Sequence, residues 1–387
     1  MKKKLGDIFE IGSGGTPSKA HPEYYGGDVP WVKTGDLKAE YLYEVEEHIT
    51  EEGLNNSSAK MYEPDTVLIA MYGATIGATS ILKFPACTNQ ACAAFKKSDE
   101  VIPEYLYYFL KSKKERFVSD GVGGAQPNIS AGYLKKVEME IKSISEQEEI
   151  VKILDKVGGV ITFRQQELKS FDDLIKARFV EMFGDPVSNP YEWDIVAFND
   201  CLESIENGKS FVCDSVARAD EKPAILKLSA ATYGVYKPEE NKAIINEEDF
   251  VESAEVHDGD LLFTRKNTPE LVGMAAYVES TPKKLMMPDL IFRLNTKANC
   301  NKIFLWKLIN HDLYRSQIES AASGSAKSMS NISKERLGKL RFPLPPLELQ
   351  EQFSDFVNQV DKSKSVVQKA LDETQQLFDS LMQEYFG

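Results

Sequence analysis

The chain repeats itself, and that repetition limits what it can fold into. Ile129-Ser130 recurs as Ile332-Ser333, Gln147-Glu148 as Gln350-Glu351 and Phe183-Gly184 as Phe386-Gly387. Each pair lies 203 positions apart (332−129, 350−147, 387−184). Chance does not hold an offset constant over so long a stretch. Further upstream the offset drifts: residues 64–70 resemble 258–264 at 194, and 103–110 resemble 301–309 at about 199. Drift between matched elements means insertions in loops, the parts of a fold that vary most. The chain therefore reads as two copies of one unit, each under 200 residues. With 42% of its residues hydrophobic, each copy can bury a core.

Each copy has two parts. The first is mixed, with short strands at Val67-Leu68-Ile69-Ala70-Met71 and Gln90-Ala91-Cys92-Ala93-Ala94-Phe95 broken by the loop Gly73–Gly77. Pro103 opens a short helix at its favoured first position. The second copy repeats this with strands at Leu261–Phe263 and Leu290–Leu294 and a helix from about Phe304 to Ile318. The second part is a long helix. Ser145-Glu146-Gln147-Glu148 reads as a capping box. Apolar residues then recur at helical steps from Ile150 to Phe179, and again from Phe353 to Leu381 after the strand-stopping Pro345-Pro346. Gly158-Gly159 is the weak spot of the first of these helices. Helices of roughly 35–40 residues without internal proline read as coiled coil. The expected boundaries are a first globular domain over 1–145, a helix over 146–184, a second domain over 185–346 and a last helix over 347–387. The fold class is mixed α/β.

Several chemistries are excluded. No apolar run approaches the ~20 residues a membrane-spanning helix needs, so a soluble cytoplasmic protein is expected. Cys87, Cys92, Cys201, Cys213 and Cys300 are odd in number and read as structural thiols. His21, His48, His257 and His311 show no metal-ligand spacing, and no metal site is expected. Gly208-Lys209-Ser210 has the end of a phosphate-binding loop but not its beginning, since position 203 is Glu203. No methyltransferase or nuclease signature stands out. The net charge is −14, with 23 basic against 28 acidic residues in 1–184 and 23 against 32 in 185–387. Neither half can hold nucleic acid by charge alone, whereas reading base edges with a few side chains stays open.

The junctions carry a family resemblance. Phe342-Pro343-Leu344-Pro345-Pro346-Leu347-Glu348-Leu349-Gln350 before a long helix resembles the end of a target-recognition domain in type I restriction–modification specificity subunits. Phe183-Gly184-Asp185-Pro186 followed by Trp193 resembles that family's passage into its second recognition domain. Gly14-Gly15-Thr16-Pro17, Val29-Pro30-Trp31-Val32-Lys33-Thr34-Gly35-Asp36-Leu37 and Gln126-Pro127-Asn128-Ile129-Ser130 resemble its first-domain marks. Copy two departs at Gly208-Lys209-Ser210 and at Lys327-Ser328-Met329-Ser330, which leaves its base contacts less defined. The resemblance implies two globular domains related by a pseudo-twofold axis and separated by two antiparallel coiled-coil helices. It implies a non-catalytic DNA-specificity subunit in which each domain reads half of a bipartite double-stranded target. The helices would set the spacer and dock two adenine methyltransferase subunits, and two restriction–motor subunits would join for cleavage. No cofactor is expected in this chain, with S-adenosylmethionine, ATP and magnesium held by those partners. A specificity subunit of a type IIB-like or orphan modification complex is an alternative, as is a coiled-coil protein-interaction scaffold.

Loops supply the candidate DNA contacts. In the first copy these are Lys33, Thr34, Tyr72, Gln126 and Asn128, and in the second Lys227, Arg265, Lys266, Asn267 and Lys327. Arg, Lys, Asn and Gln are the side chains able to bond base edges in the major groove. Simple solvent exposure is the competing explanation for each.

Overall fold

The computed structural model describes residues 1–121, 128–323 and 329–387. It comprises two compact units, residues 1–165 with 369–387, and residues 166–368. Each is taken by itself.

In the first unit a five-stranded sheet runs in the order Ile11–Ser13, Cys92–Phe95, Val67–Ala70, Thr79–Leu82, Tyr41–Leu42. All its pairings are antiparallel except the last. The central strands are buried on both faces, which explains their near-continuous apolar sequence. One face meets the helix Pro103–Ser112, whose Tyr105, Leu106, Phe109 and Leu110 are all buried. A second sheet contains Tyr25–Val32 and Ala86–Thr88 in parallel.

The second unit repeats this plan. Its main sheet runs Leu202–Asn207, Ile291–Thr296, Leu261–Thr264, Ala275–Tyr277. In each unit a first strand pairs with one just before the long helix: Lys2–Lys4 with Glu138–Glu140, and Ile195–Ala197 with Arg341–Pro343. The helix expected from Phe304 to Ile318 is two, Lys302–Asn310 and Asp312–Ser320. The break is at His311, which has an extended backbone and a ring nitrogen Nδ1 that caps the Leu313 amide at 3.3 Å.

Both long helices are unbroken over 40 residues, Ile144–Phe183 and Leu347–Phe386, or ~60 Å each. The capping box of the first lies two residues earlier than the sequence suggests. Ser143 accepts from the Glu146 amide at 3.3 Å, and Glu146 accepts from the Ser143 amide at 2.8 Å. Ser145 and Glu148 already belong to the helix. Gly158 does not break it; Phe378 lies 3.9 Å from where a Gly158 Cβ would be. In the second unit the two helical segments run antiparallel, with Lys364 bonded to Asp172 at 2.6 Å while Phe353 packs on Phe179 and Phe183.

The repeated residues now have physical roles. Gln147 and Gln350 are fully buried at the helix starts. Each accepts from the amide that begins the short helix, Ile102 at 3.0 Å and Asn301 at 2.9 Å. Each amide nitrogen also donates to two carbonyls, Glu100 and Lys142 for Gln147, Asn299 and Pro345 for Gln350. Phe386 packs on Tyr105 with ring centroids 5.0 Å apart, and Phe183 packs on Phe304 at 5.0 Å. The last turn of each long helix thus completes the core of the unit that holds the other helix's start.

Candidate nucleic-acid interface

Five of the candidate residues, Tyr72, Asn128, Arg265, Lys266 and Asn267, lie at junctions where the central strand of each sheet leaves the core. In the first unit Val67–Ala70 ends at Met71, and Tyr72 forms an antiparallel bridge with Asn128. The Ile129 amide donates to the Met71 carbonyl at 3.0 Å. Gly77 then turns the chain back at φ +79°, its amide bonded to the Ala70 carbonyl at 3.0 Å. Tyr72 and Asn128 are both exposed, so the backbone brings these two candidates together on one accessible edge.

The second unit builds the same junction from other side chains. Lys266–Asn267 pairs with Ser330–Asn331, and the Ile332 amide donates to the Arg265 carbonyl at 2.8 Å. Gly273 turns the chain at φ +76°, bonded to the Thr264 carbonyl at 2.8 Å. Arg265 therefore stands where Met71 stands, Lys266 where Tyr72 stands and Asn331 where Asn128 stands. Met71 is buried, whereas Arg265 is partly exposed. Its Nε and Nη2 donate to Asn331 Oδ1 at 3.3 and 3.1 Å, and its guanidinium lies 5.1 Å from the centre of the Phe292 ring.

The remaining candidates differ in accessibility. Asn267 is buried: it donates to Thr232 Oγ1 at 3.2 Å and accepts from the Thr268 amide at 2.8 Å. Thr232 in turn donates to the Leu228 carbonyl, so Asn267 braces the turn that Lys227 begins. Lys33 and Lys227 occupy matching positions and are both ion-paired, to Glu47 and to Glu240. Each begins a short 3-10 turn, Thr34–Asp36 or Leu228–Ala230, and Thr34 is partly buried at the start of the first. Gln126 and Lys327 lie outside the described residues.

Two residues escaped sequence reasoning. Asn331 was detectable, because it lies 203 positions after Asn128, the offset of the adjoining Ile129 and Ile332. Lys334 is exposed with its ammonium 5.8 Å from the Phe292 ring, and nothing in its local sequence marks it. No carboxylate among the described residues lies within ion-pair distance of Arg265, Lys266 or Lys334, in a chain that is acidic overall.

The glycine loops are structural. A Cβ on Gly14 would lie 1.8 Å from the Thr88 carbonyl oxygen, and one on Gly208 would lie 2.1 Å from that of Pro288. Thr16 bonds to Gln90 and Ser210 to Asp289. Gly208-Lys209-Ser210 thus does the work of Gly14-Gly15-Thr16, a close backbone approach. Cys87, Cys92, Cys201 and Cys300 are buried. Burial pushes the Cys87 thiol to about 11 and Cys92 to about 12, which keeps both as inert thiols at neutral pH. Among the described residues no His, Cys, Asp and Glu group is placed to hold a metal, and no helix is long and apolar enough to cross a membrane.

This doubled plan has a name among known proteins. The chain belongs to the family of the type I restriction modification DNA specificity domain, which matches residues 1–170 and 190–374. It is 32% identical over 206 residues to the type I restriction enzyme MjaIX specificity subunit of Methanocaldococcus jannaschii, covering 52% of this chain and 47% of that protein. It is 30% identical over 202 residues to the EcoEI specificity subunit of Escherichia coli, covering 51% and 34%. These matches span about half or less of those relatives. Two solved structures align along the whole chain. One is the type I restriction-modification S subunit from M. genitalium, at 15% identity and TM-score 0.55, covering 100% of this chain and 96% of that one. The other is a chain from work on complex assembly and conformational transition of the type I R-M system, at 14% identity and TM-score 0.59, covering 100% and 97%. At such identities the likeness is one of fold.

Proposed function

We propose that this chain is the non-catalytic DNA-specificity subunit of a type I restriction–modification complex, each unit reading one half of a bipartite double-stranded target. The observation that carries the proposal is the doubled junction: one set of backbone bonds presents Tyr72 and Asn128 in one unit, and Arg265, Lys266 and Asn331 in the other. A scaffold held constant beneath changing polar side chains suits two heads that read different bases.

The long helices fit a spacer that also docks partners. Phe163 and Val366 are exposed by 68% and 70% and lie 203 positions apart, as do the exposed Leu174 and Leu377. Matching apolar residues on two helices suit two equivalent methyltransferase subunits. Those partners would hold S-adenosylmethionine and supply most phosphate contacts, which accommodates the acidity of this chain. Two restriction–motor subunits would bring ATP and magnesium.

The test is methylation mapping in cells that express the chain with its neighbouring modification genes. A bipartite methylated motif is expected. Exchanging residues 1–140 for another recognition domain should replace one half-site and spare the other. A change in both halves would defeat the assignment of one domain to one half-site.

A further inference from the structure

We infer that Arg265 reads a guanine in the half-site of the second unit, and that Asn331 is the positioning residue that fixes which edge of the guanidinium faces DNA. The inference rests on the DNA-reading function proposed above and adds the base and the means of selecting it.

A guanidinium has two bidentate edges, one made by Nε with one terminal nitrogen and the other by the two terminal nitrogens. Asn331 Oδ1 accepts from both Nε and Nη2 of Arg265, which occupies the first edge. The Nη1–Nη2 edge remains, and Nη1 donates to no protein acceptor among the described residues. That edge matches the O6 and N7 acceptors that guanine shows in the major groove, the commonest specific arginine–base pairing. Two further features hold the group still. Its face packs over Phe292, which is 1% exposed, and the Arg265 backbone is bonded on both sides, its amide to Leu290 and its carbonyl to Ile332. A reader locked before binding loses less side-chain freedom on contact.

Asn331 is placed independently of its bonds to Arg265. Its amide and carbonyl pair with Ser323 at 3.0 and 2.9 Å, so truncating its side chain leaves the backbone ladder intact. The free edge of Arg265 could instead grip a phosphate. Three features favour the base. Arg265 is held by a neutral amide rather than a carboxylate, Lys266 and Lys334 lie nearby with no ion pair to any described residue and can serve the backbone, and the equivalent Met71 is buried and apolar. A position that changes from a buried methionine to a fixed arginine between two heads is where sequence preference is expected to differ.

The experiment maps methylated motifs in cells carrying the modification genes with the wild-type chain, Arg265→Lys, Arg265→Ala or Asn331→Ala. Lysine keeps the charge but not the planar bidentate edge. The expected result is loss of preference at one G·C pair of a single half-site, by roughly 5- to 150-fold in the lysine variant. Asn331→Ala should relax the same pair more mildly and leave the other bases unchanged, a pattern that mere destabilisation would not give. Uniform weakening with every base preference kept would identify a phosphate contact and overturn the inference. Complete loss of methylation by Arg265→Lys, with the complex still assembled, would equally overturn it, since one base contact is too small for that. A wild-type chain that yields no bipartite motif would refute the proposed function itself, whereas a normal motif indifferent to all three variants would refute only the role of Arg265.

Discussion

The two junctions are alike in backbone and unlike in side chain. Ile129 bonds Met71 in the first unit as Ile332 bonds Arg265 in the second, and Gly77 and Gly273 turn the chain with φ within 3° of each other. Yet a buried methionine in one is an arginine fixed on an asparagine in the other. The hydrogen bonds that define the junction come from the main chain, which is indifferent to side-chain identity. Such a scaffold can change what it presents without changing its shape. The comparison can be broken at positions where the two units should respond differently, and sharpened where they should respond alike.

The largest difference is expected at the turning glycines. An alanine at either must take a left-handed conformation, at roughly 1–2 kcal/mol. At Gly273 the new Cβ would also lie 2.3 Å from Ile318 Cγ2 and 3.1 Å from Ile332 Cδ1, both in the core. At Gly77 it would lie 2.8 Å from Lys114 Cγ, which rotation of this exposed side chain relieves, and 3.3 Å from Lys114 Cα and Cβ, which must give by a few tenths of an ångström. Gly273→Ala should therefore cost about 2–5 kcal/mol and Gly77→Ala about 1–2. Urea unfolding monitored in both variants checks this, and equal losses would show that the second turn is no more tightly packed than the first.

The buried glutamines should respond alike. Gln147→Ala and Gln350→Ala each strand one amide N–H and two carbonyls at the start of a long helix. Each should destabilise by about 3 kcal/mol. A large loss for one and a small loss for the other would mean that the repeat is not mechanically equivalent at this position.

These residues also show how far the sequence could be read. The repeat, the strand cores, Pro103 as a helix start and the two long helices were legible, because apolar periodicity and fixed offsets survive in one dimension. The paired Gln147-Glu148 and Gln350-Glu351 were visible as matches, but their role was not, since it depends on backbone amides and carbonyls 45 to 51 residues away. Asn267 looked like a loop donor and is buried, because the partner that claims it, Thr232, comes from a distant turn. The capping box was misplaced by two residues because Ser143 and Ser145 both precede acidic residues at the right spacing, and only the strand Glu138–Glu140 fixes where the helix begins.

A third test concerns a matching pair of positions beside the long helices, the first buried and the second half-buried. Tyr108 donates to Asp155 at 2.7 Å in the first unit. The corresponding Lys307 of the second unit lies on the wall of a cleft of about 820 Å³, its ammonium 3.5 Å from the centre of the Trp306 ring. Burial pulls Lys307 down to about 8, against the opposing pull of Asp361 and Asp172 and with help from Lys364. Below pH 8 the lysine is charged in both folded and unfolded chains, and the penalty of burying the charge is fully present. Between about 8 and 10.5 only the unfolded chain binds the proton, so stability rises with pH across that window. Lys307→Met should stabilise the protein by about 2 kcal/mol at pH 7 and flatten this rise. Tyr108→Phe should leave the rise unaltered between about 8 and 9 and steepen it above that, because burial and Asp155 hold the Tyr108 hydroxyl above its usual range and the unfolded chain loses that proton first. An unaltered pH profile in Lys307→Met would show that the ammonium is already solvated.

The smallest effects are expected at the paired lysines, and they decide whether both units use the same phosphate anchor. Lys33 with Glu47 and Lys227 with Glu240 are half-exposed pairs at equivalent turns. Exposed pairs of this kind contribute at most about 1 kcal/mol, so Glu47→Gln and Glu240→Gln should leave stability within that limit. Their value lies in what they release. If each lysine borders the DNA backbone, removing its carboxylate partner frees a full positive charge there, and the assembled complex should bind its target more tightly. Each added phosphate contact should steepen the dependence of log affinity on log salt by about 0.9. Base preference should not move, because phosphate contacts position the protein without reading sequence. A steeper salt dependence for one variant only would show that the two heads anchor differently. No change for either would place both lysines away from the DNA backbone and leave, among the described residues, the polar junctions around Tyr72 and Lys266 as the candidate contacts repeated between the units.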